Sequence, residues 1–149
     1  MTNFEKKNEK AGLAYIKYFE TLTAGSVDEL DELATEQMQF KDPFNNVTTR
    51  EDTKRVFREM FDQIDNPVFQ VTSVSWNDDR DLAALKWCFT GHAGKLGNLE
   101  FEGMSEIRFD EEGKVVSHID FWDAASHFYE KIIFLGFFIR LIKRSIRLS

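Results

Sequence analysis

The chain has 149 residues with 42% apolar and 14% aromatic side chains, 8 Gly and 2 Pro, which excludes a disordered, collagenous or repeat protein and fits one domain large enough to bury its own core. One cysteine, Cys88, rules out an internal disulfide, and the charged residues among the first twenty show no signal-peptide pattern, so a reducing, cytoplasmic setting is expected. The net charge of -7 is uneven: residues 129–149 hold five basic side chains against Glu130, a local +4, which leaves -11 on residues 1–128. An acidic body without a basic stripe would repel phosphate backbones, so nucleic acid is not an expected partner.

Taken in chain order, Tyr15, Tyr18, Phe19 and Leu22 fall at helical spacing and predict a first helix that stops near Gly25. Ser26 and Glu29 have the spacing of a capping box, with Val27, Leu30, Leu33 and Ala34 as the face of a short second helix. Met38 to Asp42 reads as a small strand closed by Pro43 and the Asn45-Asn46 turn. Thr49 and Asp52 resemble an N-cap for a third helix, whose face is Val56, Phe57, Met60, Phe61 and Ile64. Four longer strands are expected at Val68–Trp76, Leu82–His92, Leu99–Phe109 and Lys114–Trp122, separated by hairpin-length loops. Helices followed by an antiparallel meander imply an α+β fold, with the helices covering one face of a curved sheet.

Alternation assigns faces. Phe101, Gly103, Ser105, Ile107 and Phe109 share the expected inner side of their strand, opposite Glu100, Glu102, Glu106 and Arg108. In the last strand Val116, His118, Asp120 and Trp122 share a side, so His118 and Asp120 point into the interior if that side is the inner one. Spaced i, i+2, the two are too far apart for a direct bond to be assumed; both can reach one ligand or water, or Asp120 can simply hold His118 or a backbone group.

The strings Phe40-Lys41-Asp42-Pro43-Phe44, Arg108-Phe109-Asp110-Glu111-Glu112-Gly113-Lys114-Val115 and His118-Ile119-Asp120-Phe121-Trp122-Asp123 together resemble the nuclear transport factor 2-like superfamily, in particular its SnoaL-like and steroid delta-isomerase-like branch, over about residues 12 to 125. The resemblance implies a cone-shaped fold in which a curved antiparallel or mixed sheet wraps around the N-terminal helices and encloses an apolar pocket, often in a homodimer. It implies Asp42 as a general base, Tyr18 as an oxyanion donor and Trp122 as an aromatic wall. Ser105 stands where the isomerase has a protonated aspartic acid, and Phe57 where it has a second tyrosine; His118 and Asp120 are an additional acid-base pair. The expected function is a pocket for a small hydrophobic molecule, with isomerisation, cyclisation or dehydration by proton transfer beside a carbonyl. Its catalytic residues would be Tyr18, Asp42, His118 and Asp120, and its ligand-binding residues Phe57, Phe61, Cys88, Phe101, Ser105 and Trp122. A non-catalytic ligand-binding or lipid-associated module, or a protein-interaction scaffold of the same fold, is the alternative.

The remaining candidates have plainer readings. Asp42 before Pro43 also suits a turn cap, Tyr18 a core tyrosine, and Cys88 a small core residue. His92 falls near a hairpin tip. His127 follows Asp123, whose spacing to Ser126 suggests an N-cap. Neither a metal-ligand spacing nor a phosphate loop is present, so no metal or cofactor is expected. Residues 129–149 form a basic amphipathic segment beyond a domain of residues 1–128. Phe128, Ile132, Leu135, Ile139, Ile142 and Ile146 make a stripe, with Arg140, Lys143, Arg144 and Arg147 on a basic side. Its apolar run, Ile132 to Ile142, falls short of the roughly 20 residues that span a bilayer. Burial against the sheet or a partner is expected, and peripheral membrane contact through Ile132–Ile146 is the alternative.

Overall fold

Apolar side chains recurring at helical spacing, and then at every second position, need a common surface to cover them, and the chain supplies it by laying helices on one sheet. The computed structural model describes residues 3–147; positions 1, 2, 148 and 149 of the two expected segments lie outside the described residues. Helix α1 is Asn3–Glu20, α2 Leu30–Leu33, α3 Arg50–Gln63, α4 Ala124–His127 and α5 Ile133–Ile146. Strands β1 Ala34–Lys41, β2 Asn46–Val47, β3 Asp65–Trp76, β4 Leu82–His92, β5 Asn98–Phe109 and β6 Val115–Phe121 form one sheet in the order β2-β1-β6-β5-β4-β3. Strands β1 and β6 pair parallel and all other neighbours pair antiparallel. The α+β architecture is the one expected from element order.

Several boundaries differ for local reasons. Helix α1 ends at Glu20 rather than near Gly25, because Thr23 and Ser26 close a turn on each other: Thr23 N–H donates to Ser26 Oγ (2.9 Å) and Ser26 N–H to Thr23 Oγ1 (3.2 Å). The Ser26 hydroxyl is thereby used, and no capping box forms; a 3-10 turn over Val27–Glu29 leads into α2 instead. Ala34, read as part of a helix face, is extended (φ -130°, ψ 157°) and opens β1. Asp42 falls just past the end of that strand. The cap on α3 forms as expected, with Asp52 N–H donating to Thr49 Oγ1 at 3.1 Å.

The inner face of the sheet follows alternation in β4 and β5. Leu85, Trp87 and Phe89 are buried beside Ser105, Ile107 and Phe109, and α1 with the residues just after it lays Tyr15, Tyr18, Phe19 and Leu22 on them. In β6 the parity changes. Ser117 pairs with Arg108, but Val115 pairs with Phe109, so Val116 is an extra residue, a bulge that turns Val115 inward together with His118 and Asp120. Trp87 lies directly across from Gly103, and a Cβ built on Gly103 would come within 2.5 Å of the indole Cζ2. Gly103→Ala is therefore expected to lose about 1–3 kcal/mol through overpacking, measured by urea unfolding; unchanged stability would show that the indole can move aside.

Helix α5 is not packed as expected from burial on its own sheet. Its basic side turns toward the protein, with Lys143 Nζ 2.9 Å from Glu130 and 3.6 Å from Asp123, and Arg140 donating to the Glu130 carbonyl at 3.1 Å. Glu130 first, then Asp123, holds the Lys143 ammonium in its charged form and raises its pKa. Its apolar side faces out. Glu130 lies in the turn before α5 and Asp123 at the start of α4, so the partners of this side are polar.

Candidate functional site

Between the concave face of the sheet, the C-terminal half of α1, α3 and the turn after β1 lies a cavity of about 360 Å³, within the range of small-molecule sites. Its walls are aromatic. Phe57 and Phe40 meet edge to face at 5.3 Å, and Phe101 stacks on Trp122 at 4.6 Å. Phe44, 46% exposed, stands at the rim beside Phe128, 5.0 Å away. Two carboxylates reach this space from the sheet side, Asp42 at the end of β1 and Asp120 on β6, while Glu59 on α3 is exposed.

Behind Asp120 runs a chain of buried polar groups. Ser105 and Asp120 are cross-strand partners on β5 and β6, and Ser105 Oγ donates to Asp120 Oδ1 at 2.5 Å. The same oxygen lies 2.7 Å from His118 Nε2, and His118 Nδ1 lies 2.7 Å from the Tyr15 hydroxyl. Trp87 Nε1–H donates to Ser105 Oγ at 2.7 Å. These partners decide the protons. A carboxylate only accepts, so His118 carries its hydrogen on Nε2. With the hydrogen on Nε2, Nδ1 is the acceptor that the Tyr15 hydroxyl meets. The ring nitrogens of His118, the hydroxyls of Tyr15 and Ser105 and the Trp87 indole N–H, all buried, are then each matched. No hydrogen bond among the described residues engages Asp120 Oδ2, and the side chain, 8% exposed, borders the cavity.

Of the two arrangements open for His118 and Asp120, the structure has the direct bond. Both side chains lean toward each other along the strand, and Ser105 holds the carboxylate in place from β5. Of the other candidates, Phe57, Phe101 and Trp122 line the cavity. Ser105 is buried one layer behind it, its hydrogen committed to Asp120. Phe61 packs against the core without lining the cavity. Cys88 sits on the opposite face of β4 from Trp87 and Phe89, with Glu102 beside it at 3.9 Å, a placement that alternation within β4 already carries. Tyr18 is buried, but its hydroxyl donates to the Val27 carbonyl at 3.0 Å, outside the cavity wall. It is Tyr15, one turn earlier on the same helix face, that reaches the polar chain; periodicity places the two together and cannot rank them.

Asp42 borders the cavity but serves its turn. Its Oδ1 accepts from Phe44 N–H (2.7 Å), Asn45 N–H (2.6 Å) and Asn45 Nδ2 (3.1 Å), the arrangement of an aspartate that stabilises the bend after a strand. His92 is exposed and bonds Asn98 at 2.9 Å, while His127 stacks on Phe101 at 5.2 Å. Asp123 caps α4, accepting from Ser126 N–H at 3.0 Å, and its bonds to Ser126 lower its pKa. Among the described residues no group of three His, Cys, Asp or Glu side chains converges as metal ligands would.

A family model described as the SnoaL-like domain matches residues 15–118. The chain belongs to the SnoaL-like family. Its sheet order and helix placement are those of the wider nuclear transport factor 2-like fold, which solved structures share at low identity. A protein provisionally named a SnoaL-like polyketide cyclase, from Jannaschia sp. CCS1, aligns with TM-score 0.71 and 15% identity over 85% of this chain and 92% of that one. A steroid delta-isomerase from Pseudomonas aeruginosa gives 0.65 and 15% over 97% of each chain. An LEH-like epoxide hydrolase from M. tuberculosis gives 0.68 and 11% over 100% and 99%. No curated protein matches the chain by sequence.

Burial has a consequence for the SnoaL-like chain at high pH. Desolvation, then the Tyr18 and Asp120 charges, raises the Tyr15 pKa well above that of a free phenol, and desolvation followed by Glu29 and Asp28 raises that of Tyr18. Hydrogen bonding to Glu51 first, then to Asp31 and Asp28, raises that of Lys54. A raised folded-state pKa contributes stability that is full below the unfolded value and is lost as pH climbs toward the folded one. Stability is therefore expected to fall above about pH 10, by about 1.4 kcal/mol per pH unit for each of the two tyrosines. Urea midpoints across that range measure it, and Tyr15→Phe should make the slope shallower. A flat profile would mean that the phenols ionise in place.

Proposed function

We propose that this SnoaL-like protein binds a small, largely apolar carbonyl compound in its aromatic cavity and that Asp120 moves a proton on the carbon beside the carbonyl. The observation that carries the proposal is the asymmetry of that carboxylate: Oδ1 is held by Ser105 and His118, while Oδ2 has no hydrogen bond among the described residues and the side chain borders the cavity. A general base needs a fixed position and a free lone pair, and this side chain has both. Oδ2 takes the proton, and the electron pair of the broken C–H bond enters the enolate. Returning the proton to another carbon completes an isomerisation; attack of the enolate carbon on a second carbonyl closes a ring, its new alkoxide taking the proton back from Oδ2; and loss of the β-hydroxyl, which leaves as water with that proton, is a dehydration. His118, Ser105 and Tyr15 are positioning residues, because each acts through Oδ1 of Asp120. The cyclase and isomerase names of the similar structures agree with carbanion chemistry in such a cavity, and they do not select among the three outcomes.

The test is deuterium uptake from D2O at the α-carbon of a panel of apolar cyclic ketones, followed by proton NMR, with and without the protein. Uptake that Asp120→Asn removes supports the proposal. Uptake that survives Asp120→Asn but disappears in Asp42→Asn would transfer the role to the turn carboxylate. No uptake, alongside saturable binding of the same ketones, would leave a binding module and end the catalytic reading.

A further inference from the structure

Helix α5 exposes its apolar side to water and turns Arg140 and Lys143 to the protein, the reverse of an amphipathic helix docked on its own domain. Phe134 is 83% exposed and Ile146 76%, and Phe137, Phe138, Leu141 and Ile142 each show more than half of their surface. At about 3.6 residues per turn these six cover roughly half of the helix circumference. The helix is held to the protein by polar contacts, Lys143 to Glu130 and Asp123 and Arg140 to the Glu130 carbonyl, so the exposed side is not needed to keep it in place. Arg144 and Arg147 are exposed and make no ion pair among the described residues. Arg144 follows Leu141 by three positions and Phe137 by seven, which puts it at the border between the apolar and basic sides.

We propose that α5 is an interfacial helix that seats the protein on an anionic lipid bilayer, with its Phe, Leu and Ile side chains at the acyl boundary and Arg144 and Arg147 against the headgroups. No described helix is long and apolar enough to cross a membrane, so the helix lies along the surface. Charge selects the lipid over a second copy. Pairing α5 with α5 across a two-fold axis would bring two segments of local charge +4 together, whereas anionic headgroups neutralise them. The -11 on residues 1–128 keeps the rest of the molecule off such a surface and makes α5 the part that touches it. Phe128 lines the cavity five residues before α5 begins, which puts the cavity rim close in sequence to the membrane-facing segment. The seating does not depend on the chemistry proposed for Asp120.

The experiment is flotation of the full chain with phosphatidylcholine vesicles and with phosphatidylserine-rich vesicles. The chain should float with the anionic vesicles and about tenfold less with the neutral ones, and added salt should weaken binding. Phe134→Glu with Phe138→Glu should abolish flotation, and Arg144→Glu with Arg147→Glu should reduce it to the level of neutral vesicles. Thermal unfolding matched to the parent shows that each pair leaves the fold intact. Absence from the anionic vesicles overturns the proposal, as does equal binding to both compositions. A dimer by light scattering that the Phe134/Phe138 pair dissociates, with no vesicle binding, assigns the face to a second copy instead.

Discussion

Asp120→Asn is expected to lower the rate of α-proton exchange by about 10²–10⁴-fold, the usual contribution of a positioned general base. The fold should survive the change. Asparagine is isosteric, and its carbonyl oxygen can accept from both His118 Nε2–H and the Ser105 hydroxyl, as Oδ1 does now; the loss of charge assistance in those two bonds costs about 1 kcal/mol. The amide nitrogen then occupies the place of Oδ2 and has no lone pair to accept a proton. Ketone binding should change little, because the walls are Phe57, Phe101 and Trp122. The informative result is the split, exchange lost with binding and urea midpoint nearly kept. If binding collapses together with exchange, Asp120 holds the ligand and does no chemistry on it.

His118→Leu is expected to cost about 2–4 kcal/mol in urea unfolding, because it removes the acceptor of the buried Tyr15 hydroxyl and one donor to the Asp120 carboxylate. The decisive comparison is with Tyr15→Phe. In the parent chain that change bares His118 Nδ1 and should cost about 1–2 kcal/mol; added to His118→Leu it removes an orphaned hydroxyl and should restore about 1–2 kcal/mol. A substitution whose sign depends on its partner identifies a shared bond. Additive effects would show that the two groups are stabilised by something other than each other. His118→Leu should also slow exchange more than it weakens ketone binding, since the carboxylate loses a fixed orientation and the aromatic walls do not change.

The architecture was legible because it rests on pattern. Helical spacing of Tyr15 to Leu22 and of Val56 to Ile64, period-two alternation in β4 and β5, and turn residues at the loops are local properties that any sheet with helices on one face must satisfy. The charge division was legible too, since it is a count. The boundaries that moved are those where tertiary or competing local bonds override local preference: Ser26 bonds back to Thr23 instead of forward to Glu29, and Ala34, a strong helix former, follows the parallel pairing of β1 with β6.

The sequence by itself determined that a carboxylate at position 120 and an imidazole at position 118 share a strand face, and that aromatic side chains are plentiful enough to wall a cavity. Only the tertiary structure decided what those groups do to each other. Tyr15 is 103 residues from His118, and Trp87 is 18 from Ser105, and such separations leave no periodic trace, because which hydroxyl meets which nitrogen depends on how α1 crosses the sheet and on the bulge at Val116. The same holds for α5. Its stripe is written in the chain, but whether the stripe is covered depends on the presence of a complementary apolar surface, and the fold presents Glu130 and Asp123 there instead.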